Sequence, residues 1–238
     1  MIKGLLFFLV LFAPPANAHL NIDLRPEFDD SHTAELDPFA PRGLKVSYLS
    51  SVVVQVLHNG APVGTGSGNY FKLGKHRFII TAAHVVEGQE EILIIEKGFT
   101  MTRARVVYAD VNSDIAVLIP EEKLKFTKAI PFRRDISNQM GEKIYHCGHP
   151  AQEGWHISEG LLTGTHNDVL LLNTFAWPGS SGSVVFDETG RVIGVVSALR
   201  VGGPFGLPDM IEHIVLASNI KMLDQKTLKA LLDDERRK

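Results

Sequence analysis

The chain has 238 residues and a formal charge of −3, from 24 Lys and Arg against 27 Asp and Glu. That balance offers no basic surface to a polyanion and sets nucleic-acid binding aside. The single cysteine, Cys147, excludes an intramolecular disulfide, so the fold must rest on a packed core.

Residues 1–18, MIKGLLFFLVLFAPPANA, carry one early charge at Lys3, an apolar run from Gly4 to Ala13, and a small-x-small ending at Ala16-Asn17-Ala18. This is the pattern of a secretory signal peptide, here cleaved after Ala18. The run is shorter than the roughly 20 residues a membrane span requires. A secreted or periplasmic protein with no stable membrane anchor is expected. The lack of disulfides in an exported chain leans toward a bacterial or phage-borne periplasmic origin.

Residues 19–47 are acidic and broken by Pro26, Pro38 and Pro41, and they read as an extended N-terminal arm. From Tyr48 the chain turns to short β-rich runs: VVVQVLH, NYFKL, HRFIIT, EILIIE, ARVVYA and IAVLIP, then KIYHC, HISEGLLTG, DVLLLNT, SVVF, RVIGVVSAL and HIVLA. About a dozen such runs, separated by turn signals such as HNG, KLGK, THND and DETG, predict an all-β fold of antiparallel sandwich or barrel type. The weakly periodic TKAIPFRRDISNQMGE joins two halves, about 48–123 and 140–217, of one domain over 48–221. A C-terminal helix is expected within 222–238, with Asp224 as N-cap and Leu228, Leu231 and Leu232 on its apolar edge.

The stretch WPGSSGSVVF holds three serines, Ser180, Ser181 and Ser183. A serine hydroxyl near neutral pH needs a base within hydrogen-bond reach, and the base needs a carboxylate to orient it. Two other strand ends supply such groups. His84 follows the small Ala82-Ala83 at the exit of HRFIIT, and Asp114 stands just before IAVLIP. Any one of ten histidines, or an Asp before a strand, is more often structural. All three in one β-rich frame, in the order His, Asp, Ser, point to nucleophilic catalysis. The α/β-hydrolase alternative places the nucleophile first and follows it with a helix. Here SVVFDETGRVIGVV continues Ser181 into strand, turn and strand. In YHCGHP, neighbouring His146 and Cys147 point to opposite faces of a strand, and no second Cys/His pair has zinc-like spacing. No metal or cofactor is expected, and Trp155 and Trp177 read as cleft or core aromatics.

TAAHVV, NSDIAVL and PGSSGSVVF followed by GRVIGVVSAL resemble the trypsin-like (chymotrypsin-fold) serine peptidases. The style is that of the disulfide-free bacterial branch with the Deg/HtrA proteases and glutamyl endopeptidases. GTGSG (Gly64–Gly68) and GEKIYHCGHP add to the likeness, which covers roughly residues 48–221. The resemblance implies two perpendicular six-stranded antiparallel β-barrels with the catalytic residues between them. It implies Ser181 as nucleophile, His84 as general base and then acid, and Asp114 as the group fixing its tautomer. It also implies an oxyanion hole from the N–H groups of Gly179 and Ser181, and a pocket serine, Ser197, whose hydroxyl approaches the aspartate.

Departures from the family are informative. Ser180 stands where zymogen-type relatives carry an Asp, so activation by a freed N-terminus is not expected. Ser183 replaces the more usual Gly. Phe175 occupies the position of the trypsin pocket-floor Asp, Val196 that of the glutamyl-endopeptidase His, and Ser197-Ala198-Leu199 form the pocket wall. These predict a small or medium apolar residue before the scissile bond of a protein or peptide substrate. No PDZ domain is expected after Lys221. The alternatives are a catalytically silent peptide-binding module and a serine esterase or acyl transferase, because acyl-enzyme chemistry is shared.

Overall fold

Two-residue turns set much of the architecture seen in the computed structural model, which describes residues 36–150, 154–201 and 210–237, the side chains of 198–201 and 210–213 excepted. Asn59 and Gly60 take φ of 51° and 75° between paired His58 and Ala61. Both residues are left-handed, the geometry that twists a hairpin correctly and that Asn-Gly adopts at low cost. Gly74, Asn167 and Gly190 take positive φ in the KLGK, THND and DETG turns. At the last of these, Asp187 caps the turn by accepting from Thr189 Oγ1 and Arg191 N, each at 2.8 Å.

The first six strands are β1 (Ser51–His58), β2 (Ala61–Leu73), β3 (His76–Thr81), β4 (Glu91–Ile95), β5 (Met101–Asp110) and β6 (Ile115–Pro120). They pair in the order β1-β4-β5-β6-β3-β2, and the β1–β2 pairing closes them into a barrel. The second barrel is β8 (Lys143–Gly148), β9 (His156–His166), β10 (Val169–Asn173), β11 (Val184–Asp187), β12 (Val192–Val201) and β13 (Met210–Asn219), in the order β10-β13-β12-β11-β8-β9. Two closed six-stranded antiparallel barrels are the chymotrypsin-like arrangement expected. Within the connecting segment, Ile130–Pro131 form a short β7 parallel to β2, with Ile130 opposite Phe71.

Burial follows the period-two alternation of a strand with one face inward. In β4, Ile92 and Ile94 are buried while their neighbours are half-exposed. Ile144, Leu162, Leu170, Leu172, Val185, Ile193, Val196 and Val215 fill the second barrel. A larger cluster fills the first barrel and reaches Val184, Phe186, Val192 and Val195 of the second. At this junction the Phe71 ring lies 5.8, 5.4 and 6.1 Å from Phe78, Phe132 and Phe186, distances typical of favourable aromatic pairs.

The signal peptide and most of the N-terminal arm lie outside the described residues. The end of the expected extended segment differs from the sequence reading: α1 (Arg42–Ser50) is a helix. Tertiary contacts hold it, since a Cβ at Gly43 would sit 2.0 Å from the Asp187 carbonyl oxygen. Asn69 Nδ2 donates to Ser47 O at 3.0 Å and Ser50 Oγ at 2.8 Å. At the other end, α3 (Gln225–Glu235) begins at Asp224, whose carboxylate accepts from Thr227 N at 2.8 Å. Its Leu228 and Leu232 are buried in the first barrel's core. Among the described residues no helix is long and apolar enough to cross a membrane.

Candidate active site

His84 lies on α2 (Ala83–Val86), one turn of helix that starts where β3 ends. Ala82 and Ala83 are fully buried, so small side chains let this turn sit tightly on the barrel end. Asp114 comes from the β5–β6 turn and adopts φ 50°. That turn is shaped by Asp110, which accepts from Asn112 N at 3.0 Å and from Ser113 Oγ at 2.6 Å. The Ser113 hydroxyl, with help from neighbouring backbone N–H groups, holds the Asp110 carboxyl below its ordinary pKa.

The Asp114 carboxylate faces His84. One oxygen accepts from His84 N at 2.9 Å, and both accept from His84 Nδ1, at 3.0 and 2.8 Å. An ionised carboxylate only accepts, so Nδ1 carries the proton and Nε2 of the neutral ring is left as a base. Ser197 Oγ donates to Asp114 Oδ2. It stands at a break in the β12–β13 register, where Val196 pairs Ala217 but Ala198 pairs Leu216. Such a bulge re-aims a side chain, here toward the carboxylate.

Ser181 lies in a tight turn between β10 and β11. Ser180 N donates to Trp177 O at 2.8 Å, and Ser183 N to Ser180 O at 3.0 Å. The other two serines are consumed by this turn: Ser180 Oγ accepts from Trp177 N at 3.2 Å, and Ser183 Oγ donates to Ser180 O at 2.7 Å. Gly179 and Gly182 hold φ of 101° and 89°, conformations that glycine tolerates and L side chains resist. Ser181 O accepts from Ser67 N at 2.7 Å, and Gly182 N donates to Val196 O at 2.8 Å. Among the described residues, no acceptor takes the N–H of Gly179 or of Ser181. The Ser181 hydroxyl makes no hydrogen bond there either, to His84 included. Such contacts in an empty site often form only when substrate binds.

The Ser181 turn nonetheless lies against the histidine's element. A Cβ at Gly66 would be 2.8 Å from Val85 and 3.0 Å from Ser181 O. One at Gly182 would be 3.0 Å from Ala82 N.

Other expected residues fall elsewhere. Phe175 is 44 % exposed, with its ring 5.3 Å from that of His156. The side chains of Ala198 and Leu199 lie outside the described residues. Burial pushes the His146 pKa down to about 4 and that of Cys147 up to about 11, which suits neither to nucleophilic chemistry near neutral pH. Among the described residues, Asp135, Glu142 and Asp187 are the carboxylates close enough to share a cation. Arg191 already occupies them, 2.6 Å from Asp135 and 2.7 Å from Asp187. Sequence reasoning missed Ser67, Thr81 and Asn69. Ser67 and Asn69 flank the last glycine of GTGSG, a motif noted only for its likeness to the family.

The trypsin-like peptidase domain matches residues 66–195, more than half of the chain. The chain belongs to that family. Similar curated proteins include a "Probable periplasmic serine endoprotease DegP-like" of Bartonella henselae, 27% identical over 75% of this chain and 37% of its own length. A protein so described in Rhizobium meliloti is 28% identical over 67% of this chain and 34% of its own length. This trypsin-like chain therefore spans about a third of the length of those relatives. Among solved structures, the serine endoprotease from Yersinia pestis aligns with a TM-score of 0.64 at 22% identity, covering 81% of this chain and 66% of that one. The HtrA-type protease AlgW gives 0.64 at 19% identity, covering 81% and 63%. These likenesses agree with the two-barrel fold.

Proposed function

We propose that this protein is a secreted or periplasmic serine endopeptidase with Ser181 as nucleophile, His84 as general base and acid, and Asp114 as the orienting carboxylate. The observation that carries the reading is the hydrogen-bonded series Ser197–Asp114–His84 beside a turn that leaves two backbone N–H groups unpaired among the described residues. Ser181 Oγ attacks the scissile carbonyl carbon while His84 Nε2 takes its proton. The resulting imidazolium is stabilised by Asp114 at Nδ1. The carbonyl oxygen, now negative, is met by the N–H groups of Gly179 and Ser181, an interaction worth about 10²–10³ in rate per donor. His84 returns the proton to the leaving amine, which departs as the acyl-enzyme forms. Water activated by the same histidine then releases the acid.

Phe175 offers no carboxylate to a basic side chain, which supports cleavage after a small or medium apolar residue. The apolar N-terminus and the periplasmic designation of the relatives support export. Ser180, 3 % exposed and bonded within its own turn, supports a site that needs no ion pair with a new N-terminus.

The test is casein cleavage by the wild type and Ser181→Ala, with labelling by a fluorophosphonate in parallel. Loss on the order of 10⁶-fold in the variant is expected. A wild type that neither labels nor cleaves is instead a peptide-binding module. One that labels but spares every protein is an esterase or acyl transferase.

A further inference from the structure

We infer that Ser67 is a positioning residue of the oxyanion hole, holding the turn around Ser181 through its hydroxyl and amide while tying that turn to the end of the strand that leads to His84. The inference rests on Ser181 being the nucleophile. Ser67 sits in β2 and is fully buried, yet its N–H and hydroxyl turn away from its own barrel. The β2–β3 ladder begins only at Asn69 opposite Ile80. Two residues earlier, the place of a β3 partner is taken by Ser181, whose carbonyl accepts from Ser67 N at 2.7 Å. Ser67 Oγ donates to Gly179 O at 2.7 Å and accepts from His149 N at 2.9 Å. Its carbonyl accepts from Thr81 Oγ1 at 2.7 Å, three residues before His84.

These bonds decide which groups of the turn remain free. The peptide between Gly179 and Ser180 is held at both ends, by Ser67 Oγ on its carbonyl and by Trp177 O on its N–H. The next carbonyl, of Ser180, accepts from Ser183 N and Oγ. The peptide after Ser181 is held by Ser67 N and Val196 O. Three successive carbonyls are thus bound to protein donors, and the N–H groups of Gly179 and Ser181, unpaired among the described residues, are left to meet an oxyanion. Ser67 binds the first and the last of the three. Without its hydroxyl, the Gly179 carbonyl loses its donor, and glycine at φ 101° resists rotation of that peptide very little. The neighbouring N–H then loses its fixed aim. Preorganised donors act on the transition state more than on bound substrate, so the effect belongs in kcat.

The experiment compares wild type, Ser67→Ala, Ser67→Cys, Ser181→Ala and Ser51→Ala in the full chain. Cysteine keeps the shape of Ser67, with a somewhat bulkier atom in place of the oxygen, but donates poorly. Ser51 is a control, a buried serine whose hydroxyl donates to Cys147 O at 3.1 Å. Readouts are kcat and KM on a peptide substrate, affinity for a peptidyl boronic acid and for the matching product peptide, and the melting temperature. Both Ser67 variants are expected to lose about 10–100-fold in kcat, somewhat less than deletion of a donor itself. KM and product affinity should stay within about twofold, and boronate affinity should fall in proportion to kcat. Ser51→Ala should keep wild-type kcat and boronate affinity. The inference is overturned if the wild type is active, Ser181→Ala is dead and both Ser67 variants keep full kcat and boronate affinity. It is equally overturned if their loss appears in KM and product binding, or if Ser51→Ala reproduces it. A Ser181→Ala protein that stays active removes the active-site reading itself, before Ser67 is in question.

Discussion

Replacing Gly182 by alanine tests how closely the two barrels meet at the nucleophile. A Cβ there would lie 2.2 Å from Ser67 O, 2.3 Å from Thr81 Oγ1 and 3.0 Å from Ala82 N, at φ +89°. Two of these contacts are backbone atoms, which cannot swing aside. The left-handed conformation alone costs about 1–2 kcal/mol for an L side chain, and overpacking a buried site adds about 1–3 kcal/mol. The total, roughly 2–5 kcal/mol, is a large part of the 5–15 kcal/mol that typically holds a domain together. Gly60→Ala is the matched control, since its φ is +75° with nothing within 4 Å of the added atom. The control isolates conformational strain. Urea denaturation of both variants should therefore differ by about 1–3 kcal/mol, and melting temperatures by about 3–10 °C. Fluorophosphonate labelling of Gly182→Ala should be nearly abolished, because the added methyl drives Ser181 away from the element that carries His84. Equal destabilisation by the two alanines, with normal labelling of Gly182→Ala, would refute the packing argument.

Asp114→Asn should cut kcat by about 10⁴, because an amide can donate to Nδ1 and stabilise the wrong histidine tautomer; steady-state kinetics on a folded variant check this. Activity should not require cleavage within residues 19–48, as mass spectrometry of the fully active protein with an intact N-terminal segment would establish. Lys97 donates to Tyr48 O at 2.5 Å and to Ser51 O at 3.2 Å, and burial pushes its pKa down to about 8. A lowered lysine pKa means that the unfolded chain binds more protons above about pH 8, so this residue makes stability rise with pH toward 10. The effect is on the order of 3 kcal/mol at most. Urea midpoints of wild type and Lys97→Met should diverge over that interval, and parallel profiles would count against it.

The strands were legible because β-branched runs alternate with residues that must turn. HNG and DETG specify their hairpins through positive φ and a capping carboxylate, both local properties. Asp224 was readable for the same reason, since an N-cap bond spans three residues. Glycine after Ser181 was legible as a motif, although its physical cause, Ser67 and Thr81 pressing from another barrel, is not local. The helix α1 was not legible. RGLKVSYLS has weak amphipathicity and no side-chain cap, and it is fixed by Asn69 and by close approach to Asp187. Ser67 was missed because a serine in GTGSG looks like turn filler until the fold carries it to Ser181.

The most direct measurement is the site of a fluorophosphonate adduct, read by peptide mass spectrometry of the labelled full chain. The account predicts one adduct, on Ser181, that disappears in His84→Ala while that variant still folds. An adduct on Ser180, Ser183 or Cys147, or labelling that survives His84→Ala undiminished, would contradict it.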